Sequence, residues 1–396
     1  MGGALEIFLV FLRLGLVSFG GPIAHLGYFR NELVARRKWL DDAAYADLVA
    51  LCQFLPGPTS SQVGFALGLQ RAGLAGGVAA WLGFTAPSAA LMIAAAASLY
   101  WFATPEGQAL AHGLKLVAVA VVAHAVYGMA RSLCVTWLRA LIAVAALVAL
   151  LLAANAWTAP GLIAFGGLVG VAFARVAPAA ETGEDAHPRW FGPAALLALF
   201  AALLIGLPAA AHVGADPLLA RADSFYRAGA LVFGGGHVVL PLLEAETVGR
   251  GWVDQSQFLA GYGAAQALPG PLFAFAAFLG AAGPGSAPPL AAALVALACV
   301  FLPGLLLAAA CLPLWRFLKR YRWALGFVAG ANAAVVGVLA AALYDPIFRS
   351  AVQGLGDLTL AAAGFAALQW LKAPSWAVVL GLGAAGSALS LLGFIG

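Results

Sequence analysis

Two arginines stand where arginine is costly. Arg13 lies within Phe11-Leu12-Arg13-Leu14-Gly15-Leu16-Val17-Ser18-Phe19-Gly20-Gly21-Pro22, and Arg227 within Phe225-Tyr226-Arg227-Ala228-Gly229-Ala230-Leu231-Val232-Phe233-Gly234-Gly235-Gly236. Each arginine precedes, by seven residues, glycines that no helix would choose for stability. A guanidinium is a permanently charged planar fork of N–H donors, so the chemistry it suits is recognition of an oxyanion. An ionised side chain inside an apolar run marks a candidate functional site. Glycine and proline breaks in the same run point to backbone opened around a cavity. If Gly20-Gly21-Pro22 opens a helix, Pro22 sits at its start, where a missing N–H costs nothing. The free N–H groups and positive dipole end of that helix then form an anion site.

Pro58 and Pro271 can open helices in the same way, and Ser18, Thr59, Ser60, Ser61 and Gln62 add neutral donors. Val232 and Leu272 replace Ser18 and Thr59 in the second copy, so the site is expected to be lopsided. The candidate anion ligands are therefore Arg13, Arg227, Ser18, Gly20, Gly21, Gly234, Gly235, Gly236, His237, Gln53, Gln266, Thr59 and Ser60. Arg13 and Arg227 are expected to converge near the membrane midplane, away from free carboxylates. Glu32, Glu246 and His25 are candidates for coupling to a second ion. Each has a plainer reading: glycines that let helices pack closely, carboxylates in salt bridges at the membrane surface, and a histidine that fills a packing position.

The elements that must position these residues follow from composition. The chain has 396 residues, 64% hydrophobic and 9% charged, with a mean hydropathy of +0.98. Soluble domains carry about 25% charged residues, so the fold class is an all-α polytopic membrane protein. No cleaved signal peptide is expected, because Met1 leads directly into apolar sequence. The net charge of +4 is modest and does not point to nucleic acid. Cys52, Cys134, Cys299 and Cys311 fall in apolar segments without CxxC spacing, so neither a disulfide framework nor a metal motif is expected. There is no GxxxxGK[ST] nucleotide loop, no glycine motif between a strand and a helix, and no metal spacing among the histidines, so no cofactor is expected.

Uninterrupted apolar runs cover 76–102, 110–133, 137–155, 158–176, 191–211, 288–313, 323–343, 357–371 and 374–395, and residues 177–190 form a polar linker. The front of each half is broken instead, at Gly20-Gly21-Pro22 and Pro56-Gly57-Pro58, and at Gly234-Gly235-Gly236 and Pro269-Gly270-Pro271. The halves align at an offset of 214, pairing Arg13 with Arg227, Glu32 with Glu246 and Arg36 with Arg250. After one deletion, Trp39 pairs with Trp252, Gln53 with Gln266 and Pro56-Gly57-Pro58 with Pro269-Gly270-Pro271. The expected domains are a first repeat at 1–176, a linker with one connecting helix at 177–216, and a second repeat at 217–396. With Arg30, Arg36, Arg37 and Lys38 in the cytoplasm, fourteen of the 20 basic residues fall inside and four outside, with Arg13 and Arg227 left within the membrane. That bias predicts inverted repeats, with broken helices or re-entrant hairpins and about thirteen membrane segments. Trp39, Trp81, Trp101, Trp157, Trp252, Trp315 and Trp323 fall mostly near segment ends, as an interface belt does.

Phe19-Gly20-Gly21-Pro22-Ile23-Ala24-His25-Leu26-Gly27-Tyr28-Phe29-Arg30 resembles the signature of the chromate ion transporter (CHR) family. So do Tyr45-Ala46-Asp47-Leu48-Val49-Ala50-Leu51-Cys52-Gln53-Phe54-Leu55-Pro56-Gly57-Pro58, Ser60-Ser61-Gln62-Val63-Gly64, and Val232-Phe233-Gly234-Gly235-Gly236-His237-Val238-Val239-Leu240-Pro241 in the second half. The likeness covers essentially the whole chain, as a long, two-domain member. It implies a secondary transporter, not an enzyme, that exports chromate across the bacterial inner membrane and confers chromate resistance. Sulfate or another tetrahedral oxyanion is the runner-up substrate, and a membrane-bound chromate reductase the alternative of a different class. The lipid bilayer and the anion are the expected partners, and a homodimer is left open.

Overall fold

A computed structural model describes residues 3–98, 104–153, 158–173, 191–214, 216–233, 238–283, 287–315 and 321–392. The glycine triplet Gly234–Gly236, His237, the linker 177–190, Trp101 and Trp157 lie outside the described residues.

Helices α1 (Ala4–Val17), α2 (Gly21–Phe29), α3 (Asp42–Phe54), α4 (Thr59–Ala97), α5 (Pro105–Leu133), α6 (Trp137–Leu152) and α7 (Thr158–Phe173) form the first half, with α2 running on into a π-helical turn, Arg30–Arg36. Helix α8 (Phe191–Val213) stands between the halves. The second half has α9 (Pro217–Ala230), α10 (Val239–Thr247), α11 (Gln255–Ala267), a 3-10 turn Leu272–Ala274 leading into α12 (Phe275–Ala282), α13 (Pro289–Cys311), α14 (Arg322–Ala342), α15 (Leu355–Gln369) and α16 (Ser375–Leu391). Among the described residues there is no strand.

Capping chemistry sets several starts. The Asp41 carboxylate accepts from the Ala44 N–H ahead of α3, and Asp254 does the same for Gln257 ahead of α11. Thr104 and Asp216 cap α5 and α9, each with proline immediately after. The α4 segment is two helical limbs: Ala72 and Gly73 leave helical geometry, and Gly73 (φ +63°) reverses the chain so that Gly68 and Gly76 meet backbone to backbone. That reversal falls between the two apolar runs expected at 59–71 and 76–102.

The helices divide into two lobes, each made from both halves of the sequence. In the front lobe α1 packs on the second limb of α4, and α9 packs equivalently on α13. Gly15 lies against the Phe84 carbonyl and Gly229 against the Val300 carbonyl, approaches that a Cβ would block. In the rear lobe the partners are exchanged. Helix α14 of the second half is held by α6 and α7 of the first, while α5 of the first is held by α15 and α16 of the second. Glycines make both contacts close: Gly166 and Gly170 meet Gly330 and Gly326, and Gly113 meets Gly383 and Gly386.

Among the described residues, five helical stretches are long and apolar enough to cross a membrane: Thr59–Ala97, Pro105–Leu133, Phe191–Val213, Pro289–Cys311 and Arg322–Ala351. With shorter apolar helices around them, the chain is an all-α multi-pass membrane protein. Helix α8 packs on α9 and α13, where the Tyr226 hydroxyl donates to the Phe200 carbonyl at 3.0 Å. One tryptophan departs from the interface belt: Trp81 packs against Phe301 (ring centroids 5.7 Å apart), inside the contact between the two halves.

Candidate functional site

The two Pro-Gly-Pro loops cross the broken starts of the opposite half. The Gly57 N–H donates to the Val232 carbonyl at 2.6 Å, and the Gly270 N–H donates to the Ser18 carbonyl at 2.9 Å. These residues are repeat equivalents, so one hydrogen bond is the counterpart of the other. Each loop also seats on the long helix of the other half, Gly57 against Gly304 of α13 and Gly270 against Phe84 and Ser88 of α4. Both loop glycines have positive φ, +126° and +95°. Gly20 (φ +95°) and Gly21 (φ +78°) likewise hold left-handed backbone where α1 gives way to α2.

The polar groups gather on one side of this crossing. Thr59, Ser60, Ser61 and Gln62 form the buried first turn of α4, behind Pro58 and without a side-chain cap. Their backbone N–H groups and the helix dipole point toward the loop. The buried His25 ring on α2 joins the cluster, with Nδ1 3.3 Å from Ser60 Oγ and its edge against Phe84. Gln62 Nε2 donates to the Pro56 and Gly304 carbonyls at 2.8 and 3.0 Å, tying the first loop to α13. Five buried atoms here lack a hydrogen-bond partner: Ser18 Oγ, His25 Nε2, Ser61 Oγ, Gln62 Oε1 and Thr85 Oγ1. Unpaired polar atoms at this depth each cost about 1–3 kcal/mol, so their concentration marks a place built for something that bonds to them. Among the described residues the second half offers no such set, because Phe273, Ala274 and Phe275 occupy the positions of Ser60, Ser61 and Gln62. The space beside the second loop, lined by Ser88, Met92, Gly270 and Phe275, is too small for a water molecule.

Ser18, Thr59, Ser60 and His25 are brought together. The arginines are not. Arg13 is on the exposed face of α1, away from the Val10, Phe11 and Leu14 stripe packed on α4, and makes no ion pair with a described residue. Arg227 has its fork occupied: Nε and Nη2 donate to the two Asp223 oxygens at 2.8 and 3.0 Å, and Nη2 also donates to Glu246 at 2.9 Å. Arg250 completes this network, 3.2 Å from Glu246 and 3.7 Å from Asp223. A cavity of about 670 Å³ opens beside Arg227, but Glu244, Glu246 and Asp345 line it, which suits a dianion poorly. The expectation of two convergent arginines free of carboxylates is therefore corrected.

Gln53 is exposed, whereas its equivalent Gln266 is buried with Nε2 unpaired. Glu32 is bound by Arg37 at 2.7 Å and Arg36 at 3.0 Å. Burial alone would raise its carboxyl, but the bonds from Arg37 and Arg36 outweigh it and hold it below the usual range. Glu32 thus stays ionised around neutral pH, which makes it a poor proton carrier. Asp223 went unnoticed in the sequence, although it stands four residues before Arg227, the spacing of a helical ion pair.

A family model described as chromate transporter matches residues 5–171 and 219–387. The chain is 31% identical to the chromate transport protein of Pseudomonas aeruginosa over 366 residues, covering 91% of this chain and 85% of that protein. It is 30% identical to the chromate transport protein of Cupriavidus metallidurans over 361 residues, 88% of this chain and 83% of that one. Against the probable chromate transport protein of Synechococcus elongatus it is 30% identical over 344 residues, 84% and 82% of the two chains. No solved structure matches.

Proposed function

Since the chain belongs to the chromate transporter family, we propose that it carries chromate across the bacterial inner membrane, outward from the cytoplasm, and so confers chromate resistance. The observation that carries the site assignment is the reciprocal crossing of the two loops over unpaired polar atoms at the start of α4. Chromate is a tetrahedral anion with up to two charges. The first-turn N–H groups of α4, the hydroxyls of Ser18, Thr59, Ser60 and Ser61, and His25 supply donors with no carboxylate among them. Gly20 and Gly21 leave the backbone free to approach the anion. Donors of this kind do not separate tetrahedral dianions by charge, so sulfate is expected to compete.

The decisive experiment is flux of radiolabelled chromate into proteoliposomes, with sulfate as competitor. Wild-type protein should give saturable flux. Removing one bond to a charged ligand costs about 1.5–3 kcal/mol, so His25→Gln and Ser60→Ala/Ser61→Ala should each raise KM about tenfold or more. Wild-type KM in all these variants would move the anion site elsewhere.

The inverted arrangement of 1–176 and 217–396 around α8 is part of the same proposal. It is supported by contacts that group the ends as the charge bias requires. Trp315, beside the second basic loop, donates to Asp47, and Arg71 lies over Trp39, next to the first. In a cysteine-free background, Asp216→Cys and Gln353→Cys should react with an impermeant thiol reagent from outside. Ser132→Cys and Lys372→Cys should react only after the membrane is opened. Outside labelling at Ser132→Cys would defeat the inversion.

A further inference from the structure

The unpaired atoms at the start of α4 are not all of one kind. Ser18 Oγ, Ser61 Oγ and Thr85 Oγ1 are hydroxyls, which donate or accept as a partner requires. Gln62 Oε1 can only accept. Its partners settle which end of that amide is which. Pro56 and Gly304 both offer backbone carbonyls, so the nitrogen must face them, at 2.8 and 3.0 Å. The amide is thereby fixed, and the side chain is fully buried. Because Nε2 reaches back to Pro56, the oxygen beside it lies at the level of the loop, in front of the first turn of α4. The free N–H groups of Thr59, Ser60 and Ser61 open in the same direction, whereas the Gln62 N–H is spent on the Pro58 carbonyl at 2.9 Å. None of the three unpaired hydroxyls donates to Oε1. Phe275 holds the equivalent position in the second half, so the bare acceptor belongs to the first.

We propose that the site takes its oxyanion in the singly protonated form, whose O–H donates to Gln62 Oε1 while its bare oxygens accept from the first turn and the hydroxyls. The proposal rests on the transport reading above and deepens it. A fully deprotonated tetrahedral dianion carries acceptors alone. Set against Gln62 Oε1 it would leave that oxygen unpaired and bring two negative ends together. The hydrogen anion removes both faults with one bond. Acid–base chemistry then separates anions that shape and size do not. Chromate takes up a proton near neutral pH, whereas sulfate does so only in strong acid. Sulfate therefore competes through the donors alone, and weakly. A site built to bond a ligand O–H rejects analogues without one, because its own buried group is left unpaired. A glutamine that only tied the loop to α13 would use its nitrogen, and its buried oxygen would be matched inside the protein, as most are. The titratable group in the cluster is His25 on α2. Of the other elements packed on α4, α12 and the 3-10 turn have none, α13 has only cysteines, α11 has only Tyr262, and α1 holds Glu6 and Arg13 on its exposed face. On α3, Asp42 is paired with Arg30, Asp47 accepts from Trp315 and Tyr45 donates to the Leu26 carbonyl, which leaves the buried Cys52. On α4 itself, Arg71 lies over Trp39. A protonated His25 would strengthen every anion alike, and a protonated ligand strengthens only chromate.

The test measures KM for total chromate with full-length protein in proteoliposomes, at the same pH on both faces, over a series from mildly acidic to alkaline. Sulfate and perchlorate are the competitors. Perchlorate is tetrahedral and singly charged but carries no proton, so it controls for charge. Apparent affinity scales with the fraction of the competent form, so KM for total chromate should rise about tenfold per pH unit on the alkaline side. The inhibition constants of sulfate and perchlorate should stay flat over that range, and at neutral pH exceed the chromate KM by about tenfold or more. Gln62→Lys keeps N–H donors for Pro56 and Gly304 and removes the acceptor, so it should flatten the chromate profile and tighten sulfate. Gln62→Met lacks both ends and should flatten the profile without tightening sulfate. A chromate KM independent of pH in the wild type overturns the proposal, as do chromate, sulfate and perchlorate constants that shift in parallel. A wild-type pH profile in an inserted, stable Gln62→Lys or Gln62→Met equally overturns it. If neither variant inserts, the wild-type series decides alone. Absence of saturable chromate flux in the wild type at every pH is a separate result, and removes the transport reading itself.

Discussion

Gly57→Ala is expected to abolish transport and to lower the thermal stability of the solubilised protein more than any other single methyl addition at the crossing. Gly57 has φ +126°, a backbone conformation that costs an L-residue about 1–3 kcal/mol. Its added Cβ would lie 2.8 Å from Gln62 Nε2 and 2.9 Å from the Gly304 Cα. Gln62 could swing away only by giving up its bonds to Pro56 and Gly304, and Gly304 is backbone with no freedom to yield. Overpacking adds about 1–3 kcal/mol. The Gly57–Val232 hydrogen bond, one of the two across the crossing, is then strained or lost. Gly270→Ala should act the same way, since its Cβ would sit 2.9 Å from Ser88 Oγ. Its effect should be milder, because a serine hydroxyl can rotate aside. Gly27→Ala on α2 meets nothing within 4 Å and serves as the control. Normal flux and stability in Gly57→Ala would show that the loops are not the elements on which the cycle turns.

How much of this was legible in the sequence depends on the kind of signal. The broken fronts were, because glycine and proline act through the backbone of their own residues: Gly20, Gly57 and Gly270 all hold positive φ where breaks were expected. The lopsided polar cluster was also legible, since Ser18, Thr59 and Ser60 have apolar equivalents in the second half. The direction of side chains was not. Helix α1 carries its two charged residues, Glu6 and Arg13, seven apart on one exposed face, away from the buried stripe of Ile7, Val10, Phe11 and Leu14, a signal that the weight given to the repeated arginine concealed. The same blindness placed Trp81 in an interface belt and not against Phe301. His112 on α5 and Asp357 on α15, 2.8 Å apart as Nε2 and Oδ1, are 245 residues distant in sequence, joined through an exchange of helices between halves that neither helix encodes alone. Asp223 is different, because its i,i+4 spacing to Arg227 was visible and the emphasis on the repeated arginine hid it. At the equivalent place the first half has Leu9, which leaves Arg13 without such a partner.

That asymmetry yields a sharp expectation for Arg227. Its side chain is 18% exposed, and its partners Asp223 and Glu246 are 5% and 15% exposed. Arg227→Ala would leave Asp223 largely buried with only Arg250, 3.7 Å away, to balance it, while Glu246 keeps its closer bond to Arg250. Breaking a buried pair from one side typically costs about 3–5 kcal/mol, so the variant should insert poorly and melt well below wild type in detergent. Removing both charges is a different matter, because the stranded carboxylate is then gone. Asp223→Leu/Arg227→Ala reproduces the leucine found at position 9 and should recover most of the lost stability. If Arg227 only balances Asp223 and Glu246, the double variant should also recover chromate flux to within a few-fold of wild type. Arg13→Ala, which removes an exposed group, should change stability little. The contrary result is equally readable: a double variant that is stable and inserted, yet carries no chromate, would return Arg227 to the anion's path. It would mean that Asp223 and Glu246 hold the guanidinium in the arrangement seen here and release it during transport.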